Sequence, residues 1–161
     1  MKAIILPFFF ICVLLSTPVD KTYAQSSGIE WLSFEELDAK IDQEPKKVLI
    51  YFYTDWCTYC RKMEKEVFTN TKLIDLINQE YFAVKFDAES QEEVTFDGII
   101  FRNPDQKKTG KKGIHELTKL LASRQGQFIP PTFLVLDKDF TVTSRHFEYL
   151  HSEALLNILA K

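Results

Sequence analysis

The sequence predicts an α/β domain, a mixed central sheet flanked by helices with an inserted β-hairpin and loop. Three observations carry this. Val48 to Tyr53 is a continuous apolar run rich in β-formers, as a central strand buried on both faces must be. Thr132 to Leu136 is another such run, introduced by Pro130-Pro131. Segments with apolar residues at helical spacing alternate with the strands, which suits one sheet covered on both sides.

The elements follow in order. Ser33-Phe34-Glu35-Glu36 is a capping box, with Ser33 as cap and Glu36 three residues on. It opens a helix to about Asp42 that buries Phe34, Leu37 and Ile41, and Pro45 ends it. After the Val48–Tyr53 strand, a helix begins near Cys57 and runs to about Phe68, with Cys60, Met63, Glu64 and Val67 on one side. Thr71 caps a further helix through Leu73, Leu76 and Ile77. Phe82 to Phe86 is a strand closing at Asp87. Val94-Thr95-Phe96 and Ile99-Ile100-Phe101 flank Asp97-Gly98, a pair suited to the positive φ angles of a tight hairpin turn. Asn103 to Lys112 is a polar loop with Lys107, Lys108, Lys111 and Lys112, read as solvated. A helix follows from Ile114 to Ala122, burying Ile114, Leu117, Leu120 and Leu121. Thr141 to Phe147 is an edge strand, and Ser152 to Ala160 is a terminal helix.

The beginning of the chain reads differently. Lys2 precedes Ala3 to Leu15, an apolar stretch broken only by Pro7, and Thr22-Tyr23-Ala24 ends a more polar stretch. This is the pattern of a secretory signal peptide, residues 1–24, cleaved after Ala24. The apolar run is short of the roughly 20 residues a spanning helix needs, so no stable membrane insertion is expected. Cys12 follows bulky Phe10 and Ile11, unlike a lipoprotein signal, and leaves with the leader. The mature domain is then 25–161, secreted or periplasmic. Without Lys2, Lys21 and Asp20, the 20 basic and 23 acidic residues become 18 and 22, a net charge near −4. That balance implies no nucleic acid partner.

Cys57 and Cys60 are the only cysteines of the mature chain. A secreted protein with two cysteines at that spacing is not a disulfide scaffold, and the loop is too small to constrain much of the unfolded chain. A strand before the pair and a helix after it favour a redox site over a metal knuckle. His115, His146 and His151 have no ligand spacing to the pair and read as surface or capping residues, so no metal and no cofactor are expected.

A strand leading into Trp56-Cys57-Thr58-Tyr59-Cys60, with Ile129-Pro130-Pro131-Thr132-Phe133 before a later strand, resembles the thioredoxin superfamily over nearly the whole mature chain. It is most similar to secreted thioredoxin-like proteins related to the carboxy-terminal domain of the electron carrier DsbD. The resemblance implies a thioredoxin-like fold and makes Pro131 a cis-proline facing the cysteines. There are departures. Thioredoxins carry a buried Asp six residues before the first cysteine, and here that place is Tyr51; water, Lys85 or Glu64 would then have to move the proton. Thr58-Tyr59 replaces the usual Gly-Pro between the cysteines. The segment between Asp87 and Ile114 has no counterpart in the minimal fold.

The implied chemistry is thiol–disulfide exchange. Cys57, at the first turn of its helix, is the nucleophilic thiolate, and such a position lowers a cysteine pKa from about 8.5 toward roughly 3.5–7.5. Cys60 lies deeper and resolves the mixed disulfide. Trp56 and Tyr59 supply flat apolar surface, and the backbone of Ile129 and Pro130, set by Pro131, pairs with an extended substrate segment. The expected partners are protein thiols and disulfides and a membrane electron donor, in the reducing or isomerising direction. Two rival readings stay open: a non-catalytic binding module with a permanent bridge, and delivery of copper or haem through the reduced pair.

Overall fold

The computed structural model describes residues 27–104 and 112–161, so the leader and Lys107, Lys108 and Lys111 lie outside the described residues. Strands β1 (Trp31–Leu32), β2 (Lys47–Tyr53), β3 (Tyr81–Asp87), β8 (Thr132–Leu136) and β9 (Val142–His146) form one sheet in the order β1-β3-β2-β8-β9. β1 and β2 run parallel to β3, while β8 is antiparallel to β2 and to β9, so the sheet is mixed as the sequence predicts. β4 (Val94–Phe96) and β5 (Ile99–Phe101) make the separate hairpin. Its turn takes φ 51° at Asp97 and 69° at Gly98, the left-handed pair an Asp-Gly turn accommodates.

Side-chain alternation along β2 builds two cores. Leu49 and Tyr51 face one layer with Phe133 and Val135, covered by Met63, Val67, Leu73, Ile77, Leu155 and Leu159. Val48, Ile50 and Phe52 face the other with Val84, Phe86 and Leu134, covered by Phe34, Leu37, Leu117 and Ala122. Each such side chain contributes about 1.5–3 kcal/mol on leaving water. Both cysteines belong to the first layer, and Val94 of the hairpin belongs to the second.

Helix α1 (Phe34–Ile41) starts on the expected box: Glu36 N donates to Ser33 Oγ (3.1 Å) and Ser33 N to Glu36 Oε2 (2.7 Å). Its carboxylates also serve the hairpin. Glu35 Oε1 accepts from Thr95 N (3.0 Å) and Asp38 Oδ1 from Asp97 N (3.2 Å).

Three helices depart from the sequence reading. The helix after Cys57 is α-helical only over α2 (Thr58–Lys62) and continues as a π-helical stretch, Met63–Val67, where Phe68 N donates to Met63 O (3.0 Å). The wider turn leaves Met63, Val67 and Phe68 all buried. Asn70, not Thr71, caps α3 (Thr71–Glu80): its Oδ1 accepts from Leu73 N (3.1 Å), and Asn is the stronger cap. Helix α4 (Glu116–Ala122) starts two residues later than expected and buries Leu117, Thr118 and Ala122. Small Thr118 and Ala122 turn that side to the sheet, which leaves Leu120 exposed rather than buried.

Two features went unread. β1 is too short to show a period. β6 (Ser123–Arg124) and β7 (Gln127–Phe128) form a small hairpin about Gln125-Gly126, whose positive φ values (52° and 78°) place its turn. Helix α5 (Ser152–Leu159) closes the chain, capped by His151.

Candidate active site

The sulfur pair sits where β2 passes into α2. Cys57 is the cap residue of α2, with extended backbone (φ −70°, ψ 108°), and its Sγ accepts from Cys60 N at 3.0 Å. The free N–H groups of a helix start favour negative charge there. Cys57 and Cys60 are disulfide-bonded with Cα atoms 5.2 Å apart. Cys60 is the deeper, as expected, but Cys57 is also buried, with only 4% of its surface exposed. In the closed bridge, then, the first sulfur is less open than the sequence suggests.

Its surroundings are apolar and exposed. Trp56 is 62% exposed, Tyr59 60% and Ile129 43%. The Trp56 indole N–H donates to Glu89 Oε1 (3.0 Å). The Tyr59 ring lies 6.0 Å from that of Tyr149, over which Lys62 Nζ sits at 4.8 Å. Arg61 braces the turn before Cys57 by donating to Asp55 O (2.7 Å) and Thr58 Oγ1 (3.2 Å).

The proline segment reaches the same sheet end. Thr132 pairs with Phe52, so one further step of that register sets Pro131 opposite Tyr53, four residues before Cys57. The Pro130–Pro131 peptide is cis. Pro131 is buried and Pro130 half-buried. The Ile129 carbonyl already accepts from Thr132 Oγ1 (2.7 Å), which leaves it one lone pair for another donor.

Beneath the cysteines lies Tyr51, fully buried between Phe133 (centroids 5.1 Å apart) and Tyr53 (5.8 Å). Burial first, then the Glu64 carboxylate, push its phenol well above the ordinary range, so it stays a neutral hydroxyl with a proton to donate. Lys85, paired with Tyr51 in the sheet register, forms an ion pair with Glu64 at 2.7 Å and covers the Tyr53 ring at 4.6 Å.

Acidic groups border the Trp56 side. Burial, with Asp55 and Glu89 nearby, raises the Asp87 carboxyl above its usual range against the opposing pull of the Glu89 N–H and Lys112. Lys112 Nζ reaches Asp55 Oδ2 at 3.3 Å. Glu89 and Tyr149 were missed in the sequence. Glu89 lies just past a strand end, where ligand-facing residues gather, but no spacing singles it out. Tyr149 is ninety residues from Tyr59 in chain order. The histidines do not converge: His115 and His151 cap helices, and His146 Nε2 lies 3.2 Å from Ser144 Oγ. Among the described residues, no group of three or more His, Cys, Asp or Glu could hold a metal ion, and no helix is long and apolar enough to cross a membrane.

By sequence the chain matches no curated protein. Its structure is similar to that of a thioredoxin from Thermus thermophilus, with TM-score 0.58 and 17% identity over 83% of this chain and 85% of that one. It is also similar to the DsbH oxidoreductase (TM-score 0.55, 16% identity, 84% of each chain). The reduced carboxy-terminal domain of DsbD from Neisseria meningitidis matches with TM-score 0.50 and 17% identity over 77% of this chain and 88% of that one. At such identities the likeness is one of fold. The family model for thioredoxin-like domains matches residues 34–161, and the chain belongs to that family.

Proposed function

We propose that the protein is a secreted or periplasmic thiol–disulfide oxidoreductase acting on protein partners, in the reducing or isomerising direction. The observation that supports this most is the bridge itself. Two cysteines at redox spacing stand at a helix start, the first sulfur accepts a helix N–H, and exposed Trp56 and Tyr59 flank it. A permanent staple needs none of these. The leader, residues 1–24, would be removed and 25–161 would be the working domain.

In the reducing direction the Cys57 thiolate attacks one sulfur of a substrate disulfide. A new S–S bond forms, the old one breaks, and the other substrate sulfur leaves as a thiolate. Cys60 loses its proton and attacks Cys57 Sγ, releasing the second substrate sulfur. The cysteine pair has then given up two electrons and the substrate holds two thiols. Recharging needs a dithiol donor, and the likeness to the DsbD domain suggests a membrane electron donor. In isomerisation Cys57 makes the same first attack, and the freed substrate thiolate opens another substrate disulfide. The thiolate released there attacks the mixed disulfide and expels Cys57 as a thiolate, with no net transfer of electrons. Trp56, Tyr59, Ile129, Pro130 and Pro131 would hold the substrate segment.

The test is a titration in glutathione and dithiothreitol redox buffers beside an insulin-reduction assay. An exchanging pair opens within the range of known oxidoreductases, about −120 to −270 mV. Cys57→Ser should abolish insulin reduction. A bridge that resists strong reductant would move the protein to the alternative, a binding module with a structural disulfide.

A further inference from the structure

His115 is the one fully buried histidine among the described residues, and exchange chemistry makes no use of it. Both ring nitrogens are engaged, with opposite polarity. Nδ1 accepts from Leu117 N at 3.2 Å as the cap of α4, and so carries no proton. Nε2 lies 3.2 Å from the Glu92 carbonyl, which can only accept, and so must donate. One neutral tautomer satisfies both contacts.

That ring is one half of a staple. The His115 backbone N–H donates to Ala88 O (2.9 Å), and the ring holds Glu92. The two grips lie either side of Glu89, whose Oε1 receives the Trp56 indole N–H. Ala88 N in turn donates to Tyr53 O (2.8 Å), at the end of the strand that leads to Cys57. Asn103 Nδ2 fastens the same stretch from outside, to Ser90 O (3.0 Å) and Gly113 O (2.6 Å). A proton on Nδ1 would set donor against donor at Leu117, in a buried contact. The ring would have to leave, and Glu92 with it.

We propose that His115 is a positioning residue: its neutral form holds Glu89, and through Glu89 the Trp56 indole beside Cys57, and a proton on His115 releases both. The consequence for protein-disulfide exchange rests on the redox reading above, whereas the link from His115 to Trp56 does not. Burial holds the His115 ring below the ordinary histidine range, against the opposing pull of the Glu92 carbonyl, the Glu116 carboxylate and the Phe101 carbonyl. The groups facing it are Glu116 from α4, bonded to Arg102 N (2.8 Å), the two carbonyls from the hairpin segment, and from β3 the Phe86 ring at 5.1 Å. Asp87, with the charged groups of Asp55, Glu89 and Lys112 around it, lies on the Trp56 side and is the rival. The sign follows. The unfolded chain takes up a proton near 6.5, the folded one only lower, so the staple is intact above that value. It is lost as pH falls through the lowered folded value.

The experiment is 19F NMR of the oxidised protein carrying 5-fluorotryptophan, beside 15N spectra of the His115 ring, over falling pH. Trp31, half-buried against the core, is the internal control. The Trp56 resonance should shift with the same midpoint as the His115 ring, below about 6.5. His115→Asn, which can still cap and donate but cannot titrate, should lose the shift, and Asp87→Asn should keep it. A shift that persists in His115→Asn, an absent shift, or an Nδ1–H tautomer at neutral pH overturns the proposal. Should His115→Asn not fold, differing midpoints for the ring and Trp56 in the native protein overturn it equally. Coincident midpoints in a protein that reduces no insulin uphold the link and defeat the redox reading. Insulin reduction without the shift does the reverse.

Discussion

The Tyr51 hydroxyl donates to the carbonyl oxygen of Cys60 across 3.3 Å. A neutral phenol thus stands under the second cysteine, where thioredoxins bury a carboxylate, and it ties β2 to the first turn of α2. Met63 N also reaches that carbonyl, so removing the hydroxyl leaves no acceptor orphaned. Tyr51→Phe keeps the ring between Phe133 and Tyr53 and should cost about 1 kcal/mol, read from urea unfolding.

Cys60 is the other cysteine among the described residues and is bridged to Cys57, so under the proposed exchange it would resolve a complex held on Cys57. In Cys60→Ser the substrate should stay bound through Cys57, and intact mass spectrometry of a mixture with oxidised insulin should show one added insulin molecule. The reciprocal Cys57→Ser protein should show none. Equal trapping by both variants would overturn the roles proposed for the two sulfurs.

Trp56 is exposed yet held in place by Glu89, as suits a side chain kept ready for a partner. Trp56→Ala should lower kcat/KM for a protein disulfide by roughly fivefold to thirtyfold, the equivalent of about 1–2 kcal/mol. A small disulfide such as hydroxyethyl disulfide, too short to touch the indole, should be reduced at nearly the native rate. The comparison of the two substrates is the measurement.

Asp87 pairs with Tyr53 at the end of the sheet, and its raised carboxyl makes a pH prediction. Folding favours its protonated form, so its contribution is fully present below the ordinary value of 3.8 and is lost as pH rises through the raised one. Asp87→Asn keeps an oxygen for the Glu89 N–H and has no charge to bury. It should raise the melting temperature at neutral pH, and the gain should vanish below about pH 3.8.

The two central strands and the cysteine pair were legible because each rests on a local rule. Val48–Tyr53 and Thr132–Leu136 are apolar without interruption, the Asp97-Gly98 turn needs positive φ, and Ser33 and Glu36 satisfy one another. The misses are tertiary. Leu120 fits a helical period, but the sheet selects the neighbouring face, where Thr118 and Ala122 allow close approach. The π turn after Lys62 answers to packing of both Val67 and Phe68, which a regular period does not encode. Glu89 and Tyr149 come to Trp56 and Tyr59 from other parts of the chain, and only folded topology brings them there.

Helix α1 has a second office. The outward backbone donors at Thr95 of β4 and Asp97 of the turn that follows are filled by Glu35 and Asp38. A strand from another molecule approaching that side would find its hydrogen-bonding places taken and its own carbonyl oxygens facing carboxylates. Short hairpins standing off a main sheet are natural seeds for chain-to-chain stacking. In this one, the flank beside α1 is sealed against such growth.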